Sequence, residues 1–128
     1  MTTQHDIKPL LTTVTFSGLA FFLVGFAVQT FAGPPAVTVL IDRSYCPATK
    51  WQQVTDDYAQ IYRQHQLKQL KIEQVIFLSD LSESKAEGVP GVNAIATLKT
   101  YGQPNAQGLK SFAQRYSNSR LLSCQSDL

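Results

Sequence analysis

Between Lys8 and Asp42 the chain carries no charged side chain. That gap constrains the first third of the protein more than any other feature, because so long an uncharged, apolar stretch must leave water. Its densest part, FSGLAFFLVGFAV (Phe16 to Val28), spans 13 residues, the length of the apolar region of a secretory signal. The wider span from Leu10 to Ala32 covers 23 residues. At about 1.5 Å per residue, a helix of that length crosses a bilayer. Thr12, Thr13, Thr15 and Gln29 lower its apolarity without forbidding insertion. Three readings follow for residues 1–32. They form an uncleaved single-pass anchor held in the membrane through residues 10–32, or a signal segment removed after Thr30-Phe31-Ala32, or a buried helix of a soluble protein. The flanks carry Lys8 on one side and Arg43 and Lys50 on the other, so the positive-inside count leaves orientation open. An apolar segment this close to the start reads as an export signal, which places the rest of the chain on the non-cytoplasmic side, or secretes it after cleavage.

Gly33-Pro34-Pro35-Ala36 reads as a linker (33–36), since two prolines fix φ, remove two donors and stop a helix. Residues 37–124 then make one small domain of 88 residues, and 125–128 a tail. The formal charge of +2, from 11 basic and 9 acidic residues, is not clustered. It supplies no electrostatic footprint for nucleic acid.

Within the domain, VTVLI (Val37 to Ile41) is β-branched and wholly apolar apart from Thr38, which suits a strand buried on both faces. Trp51, Val54, Tyr58, Ile61, Tyr62 and His65 recur at steps of three or four, predicting an amphipathic helix over roughly 47–70. Pro47 suits its first position, and Thr49 to Gln52 fits a capping box one turn later. IEQVIFL (Ile72 to Leu78) reads as a second strand. Strand, helix, strand makes a βαβ unit with parallel strands. Ser82 to Gly91 reads as a polar loop. Val92 to Tyr101 is open between helix and strand. Leu109, Phe112, Ala113 and Tyr116 form one stripe of a helix over 106–116, and Arg120 to Cys124 reads as a short last strand or a tail.

Candidate chemistry centres on RSYCPATK, residues 43–50. A cysteine where a strand gives way to a helix meets backbone N–H groups and a helix dipole that favour the thiolate. VTVLIDRSYCPATKW resembles the active-site strand, loop and helix of thioredoxins and glutaredoxins, with Tyr45, Cys46, Pro47, Ala48, Thr49 and Lys50 in register with that motif. Gly91 to Gly102 is similar to the family's segment before and through its third core strand, and Gln107 to Phe112 to its last helix. The resemblance implies a small thioredoxin-like α/β domain. It also implies Cys46 as nucleophile and Lys50 as electrostatic helper. Two departures limit the chemistry. Thr49 stands where the family has its second cysteine, so no Cys-x-x-Cys pair can close, and Ala96 stands in place of the family's cis-proline. What remains is monothiol chemistry at Cys46, or a domain that keeps its shape without catalysis.

Cys46 and Cys124 are the two cysteines of the chain, and two cysteines in an exported domain tend to pair. In a parallel layer of order 2-1-3, Cys46 follows the first strand and Cys124 ends the third, which makes a bridge geometrically possible. Asp42-Arg43-Ser44-Tyr45-Cys46 also resembles the Asp-x-Ser-x-Ser metal loop of von Willebrand A-type domains, and Asp80 ends the second strand. Cys46 in the third position and the short chain count against a metal there. His5 and His65 belong to no ligand cluster, so neither metal nor cofactor is expected. Three functional readings follow: a non-catalytic, membrane-tethered interaction or assembly module with a protein partner; a redox protein using Cys46; and a membrane subunit whose apolar segment packs on partner helices.

Overall fold

The computed structural model describes residues 8–80 and 82–125, with the side chains of residues 8–10 and 29–31 left aside; His5 lies outside this range. The chain divides into two units, residues 1–33 and 34–128. The first contains helix α1, Lys8–Phe31, 24 residues long. Its stretch Leu11–Val28 is long and apolar enough to cross a membrane. Phe16, Phe21 and Phe22 are each more than four-fifths exposed, at 81, 81 and 83%. Two hydroxyls inside it bond to carbonyls of the helix itself. Thr15 Oγ1 donates to Leu11 O (2.8 Å) and Thr12 O (3.0 Å), and Ser17 Oγ to Val14 O (3.0 Å). Such back-bonding leaves those hydroxyls satisfied without water.

The second unit is mixed α/β. Its elements in chain order are β1 (Ala36–Asp42), α2 (Ala48–Gln66), β2 (Lys71–Leu78), β3 (Glu83–Lys85), α3 (Val92–Ala96), α4 (Ala106–Arg115) and β4 (Ser119–Leu122). The four strands form one sheet in the order β3-β2-β1-β4. β1 lies parallel to both β2 and β4, while β3 returns antiparallel along β2.

β1 is buried from Val37 to Asp42 because helices cover both of its faces. Val37, Val39 and Ile41 point to the α2 side, where they pack with Trp51, Val54, Tyr58 and Ile61. Leu40 points the other way, into a smaller cluster with Ile76, Leu78 and Leu109 that α4 completes through Phe112, Ala113 and Tyr116. β2 reaches both clusters through a register shift. Val37 pairs with Ile72 but Thr38 pairs with Gln74, so Glu73 is an extra residue. Alternation has period two, so this inserted residue lets Ile72 and Val75 face the same core.

Several boundaries differ from the sequence expectation. α2 ends at Gln66 rather than near Leu70, because Lys68 adopts the left-handed conformation (φ 57°) and turns the chain so that Leu70 enters the core. Pro47 is the residue before the helix rather than its first, its carbonyl accepting Trp51 N–H at 2.9 Å, and no side chain caps this end. The predicted polar loop at 82–91 contains β3, held to β2 by backbone pairing. The segment 92–101 opens as the short helix α3 and continues without a strand; the core strand that the thioredoxin resemblance implies there is absent. At the other end of the sequence, Arg120 to Cys124 does contribute a strand, β4.

Tyr58 ties the α2 layer to the loop before α3: fully buried, it donates its hydroxyl to Pro90 O at 2.6 Å. Burial, with Tyr62 adding to it, raises its pKa from 10.0 to about 12. The folded value lies above the unfolded one. Stability from the neutral phenol is therefore complete below pH 10.0, falls between pH 10.0 and about 12 while only the unfolded chain ionises, and is lost above that. Tyr58→Phe is expected to cost about 1 kcal/mol near neutral pH and to flatten the fall in stability above pH 10. Unfolding followed by the fluorescence of the single tryptophan, buried Trp51, across that pH range measures both effects.

Candidate functional site

In a sheet wound in both directions from a central strand, the crevice at the carboxyl ends of the strands, where the winding reverses, is the usual place for a ligand. Here the chain moves from β1 to β2 on one side and later returns to β4 on the other, so the reversal falls between β1 and β4. Every candidate residue read from the motif at 43–50 lies at this end of the sheet or on the helix that leaves it.

The crevice is closed by the protein's own groups. Cys46, just past β1, and Cys124, just past β4, form a disulfide with their Cα atoms 6.1 Å apart. Asp42, the last residue of β1 and 3% exposed, spends its carboxylate on neighbours. It accepts from Ser44 N–H (2.9 Å), Ser44 Oγ (2.8 Å) and Ser123 Oγ (2.8 Å). Ser44 is itself 2% exposed. Parallel pairing explains the convergence: β4 registers Ile41 against Leu122, which brings Ser123 beside Asp42 and Cys124 towards Cys46.

A second strap crosses the loop after β1. Tyr45 N–H donates to Gly102 O (3.1 Å) and Tyr101 N–H to Arg43 O (2.8 Å). Thr100 Oγ1 accepts Cys46 N–H at 3.3 Å. The Arg43 guanidinium bonds Lys99 O through Nη2 (3.0 Å) and Nε (3.3 Å), and lies over the rings of Tyr101 and Phe77. Trp51 Nε1 donates to Ile95 O at 3.2 Å. Gly102 has φ 83°, and a side chain there would collide with the Asp80 carboxylate, which accepts Gln103 N–H at 3.2 Å. Thr100 and Ser123 carry no motif: strand order brings Ser123 to this loop, and the irregular segment after α3 carries Thr100 there.

Beside the closed crevice, on the α4 side, lies a cavity of about 150 Å³ reached by Asp42, Ser44, Ser79, Asp80, Asn105 and Phe112. Several of its polar groups are engaged with one another or with backbone: Asn105 caps α4 by accepting Gly108 N–H, and Ser79 bonds across its turn to Ser82. No buried side-chain polar atom lacks a partner among the described residues.

Lys50 lies exposed in the first turn of α2 and makes no ion pair or hydrogen bond among the described residues. With its sulfur bound to Cys124, Cys46 presents no thiolate in this state. Asp42 and Asp80 border the same cavity, yet no group of three His, Cys, Asp or Glu side chains gathers as a metal centre among the described residues. His65 serves the fold, its Nδ1 accepting Ile72 N–H at 3.2 Å where α2 gives way to β2.

Fold and site together define a small α/β domain cross-linked at its switch point. The chain matches no protein-family model, no curated protein and no solved structure.

The disulfide closes a loop across a sequence separation of 78 residues. Loop entropy of that size stabilises a domain by about 4–5 kcal/mol. Reduction, or replacement of both cysteines by serine, is expected to lower stability by about that amount, read as a shift in the denaturant midpoint of Trp51 fluorescence. Asp42→Asn leaves one of three donors without a matched acceptor and is expected to cost about 1–3 kcal/mol in the same assay.

Proposed function

We propose that the protein is a non-catalytic interaction or assembly module, held at a membrane by residues 10–32 and carrying its α/β domain on the non-cytoplasmic side. The observation that carries this reading is the closed switch point. The place where such a sheet usually holds a substrate contains a disulfide and a carboxylate whose hydrogen bonds are all internal. A domain built this way offers shape and surface rather than a reactive group.

Three further points support the location. α1 exposes large apolar side chains around its circumference, and a surface of that kind is stable inside a bilayer rather than in water. The hydroxyl back-bonding in α1 suits the same environment, where polar groups must be satisfied within the segment. A disulfide between Cys46 and Cys124 belongs in an oxidising compartment, which favours export of the domain over retention in the cytoplasm. The thioredoxin-like ancestry suggested by SYCPATK fits a domain of this kind that has kept a strand, loop and helix and spent its one active-site cysteine on a structural bond.

The competing redox reading differs in one measurable respect. A thiol-exchange protein uses Cys46 as the attacking sulfur, so freeing Cys46 by Cys124→Ser would accumulate mixed disulfides with its clients. The full chain carrying Cys124→Ser, extracted in mild detergent, is expected to co-purify with the same non-covalently bound proteins as the wild type and to form no mixed disulfides on non-reducing gels. The wild type is expected to stay in the membrane fraction after alkaline wash. Partner proteins trapped covalently through Cys46 would overturn the non-catalytic reading, and release by alkaline wash would overturn the anchor.

A further inference from the structure

The two edges of the sheet are unlike. β3 is three residues long, exposed throughout and bounded by Glu83 and Lys85, features that discourage a further strand. β4 carries a single charge, Arg120, and its outward backbone groups have no partner among the described residues. Unpaired strand donors and acceptors are complementary to one thing above all, another extended strand. Beside this edge, beneath α2, runs a groove of about 360 Å³. Ile61, Leu121 and Leu122 supply its apolar lining, Asp57, Gln60 and Gln64 of α2 form one rim, and Arg120 forms the other. Asp57 and Arg120 are both exposed and both free of ion pairs; the salt bridge of the described residues is Arg115–Glu83, at 3.6 Å.

We propose that β4 pairs antiparallel with β4 of a second copy of this chain, joining two sheets across a two-fold axis. The occupant is a second copy because the surface is self-complementary: one groove carries an unpaired acid and an unpaired base, and a two-fold axis sets each against its opposite. Register follows from the faces of β4. Leu122, and therefore Arg120, lies on the α2 side, and Leu121 on the α4 side. Residues directly opposed across an antiparallel pair point to the same face. An axis through Arg120 would oppose two like charges. An axis through Leu121 sets Leu121 against its twin on the α4 side and Arg120 against Leu122 of the second copy on the α2 side, under that copy's Asp57. This pairing stands independently of the proposed tether.

The test is the association of the full chain in detergent micelles, followed by sedimentation over a range of protein concentrations. The wild type is expected to dimerise. Arg120→Asp and Asp57→Arg, both at exposed positions, are each expected to weaken the dimer by roughly tenfold, and the double substitution to restore it. A wild type that stays monomeric would overturn the proposal. So would a dimer indifferent to Arg120→Asp, which would place the contact elsewhere, or a double variant no better than either single one.

Discussion

Everything in the α/β unit depends on β1 being covered on both faces. A strand with Val37, Val39 and Ile41 on one side and Leu40 on the other cannot sit at the edge of a sheet or on a wet face. It needs a parallel neighbour on each side and helices above and below. α2 connects β1 to β2 and fills the larger cluster; α4 precedes β4 and fills the smaller one. Once both neighbours run parallel to β1, their carboxyl ends share one end of the sheet. The loops after β1, β2 and β4 then have no choice but to meet. Asp42, Asp80, Ser123 and the two cysteines are neighbours for that reason, not because their sequence positions are close.

The same placement explains why the crevice is shut. Asp42 at the end of a central strand is a charge that must be paired or hydrogen-bonded once buried. Ser44 and Ser123 supply those bonds from two different strand ends, which joins β1 to β4 through a polar network. The disulfide joins the same two strands one step further out. A four-residue strand at the edge of a small domain is a weak element, and these two links, with Asn118 donating to Ala36 O at the strand's entry, hold it at both ends. Cross-linking and hydrogen bonding here do what a larger core would do in a longer chain.

What the sequence made legible follows the strength of its periodic signals. β1, α2, β2 and α4 each carry a run or stripe long enough to be read, and the stripe of Leu109, Phe112, Ala113 and Tyr116 is the one that packs. β3 was hidden because Ser, Glu and Lys show no alternation, and its pairing comes from the turn that returns it to β2. Residues 92–101 satisfy helix and strand patterns alike, and only Ile95, buried against α2 and receiving the Trp51 indole bond at its carbonyl, decides for a helical turn. The loop at 43–50 is where contacts from the ends of β1 and β4 converge, and the bridge from Cys46 to Cys124 that a 2-1-3 strand order makes possible is present there. Nothing in RSYCPATK announces Thr100 or Ser123, since Ser123 arrives through strand order and Thr100 through the segment after α3 that backbone bonds strap to this loop.

The arrangement of the whole α/β unit turns on β4 lying parallel against β1 with its end locked to the loop after β1. Its most direct test is a peptide map of the unreduced full chain, digested after alkylation under denaturing conditions. One cross-linked peptide pair containing Cys46 and Cys124 is expected, with no alkylated cysteine until reductant is added. Two alkylated cysteines in the unreduced sample would contradict it.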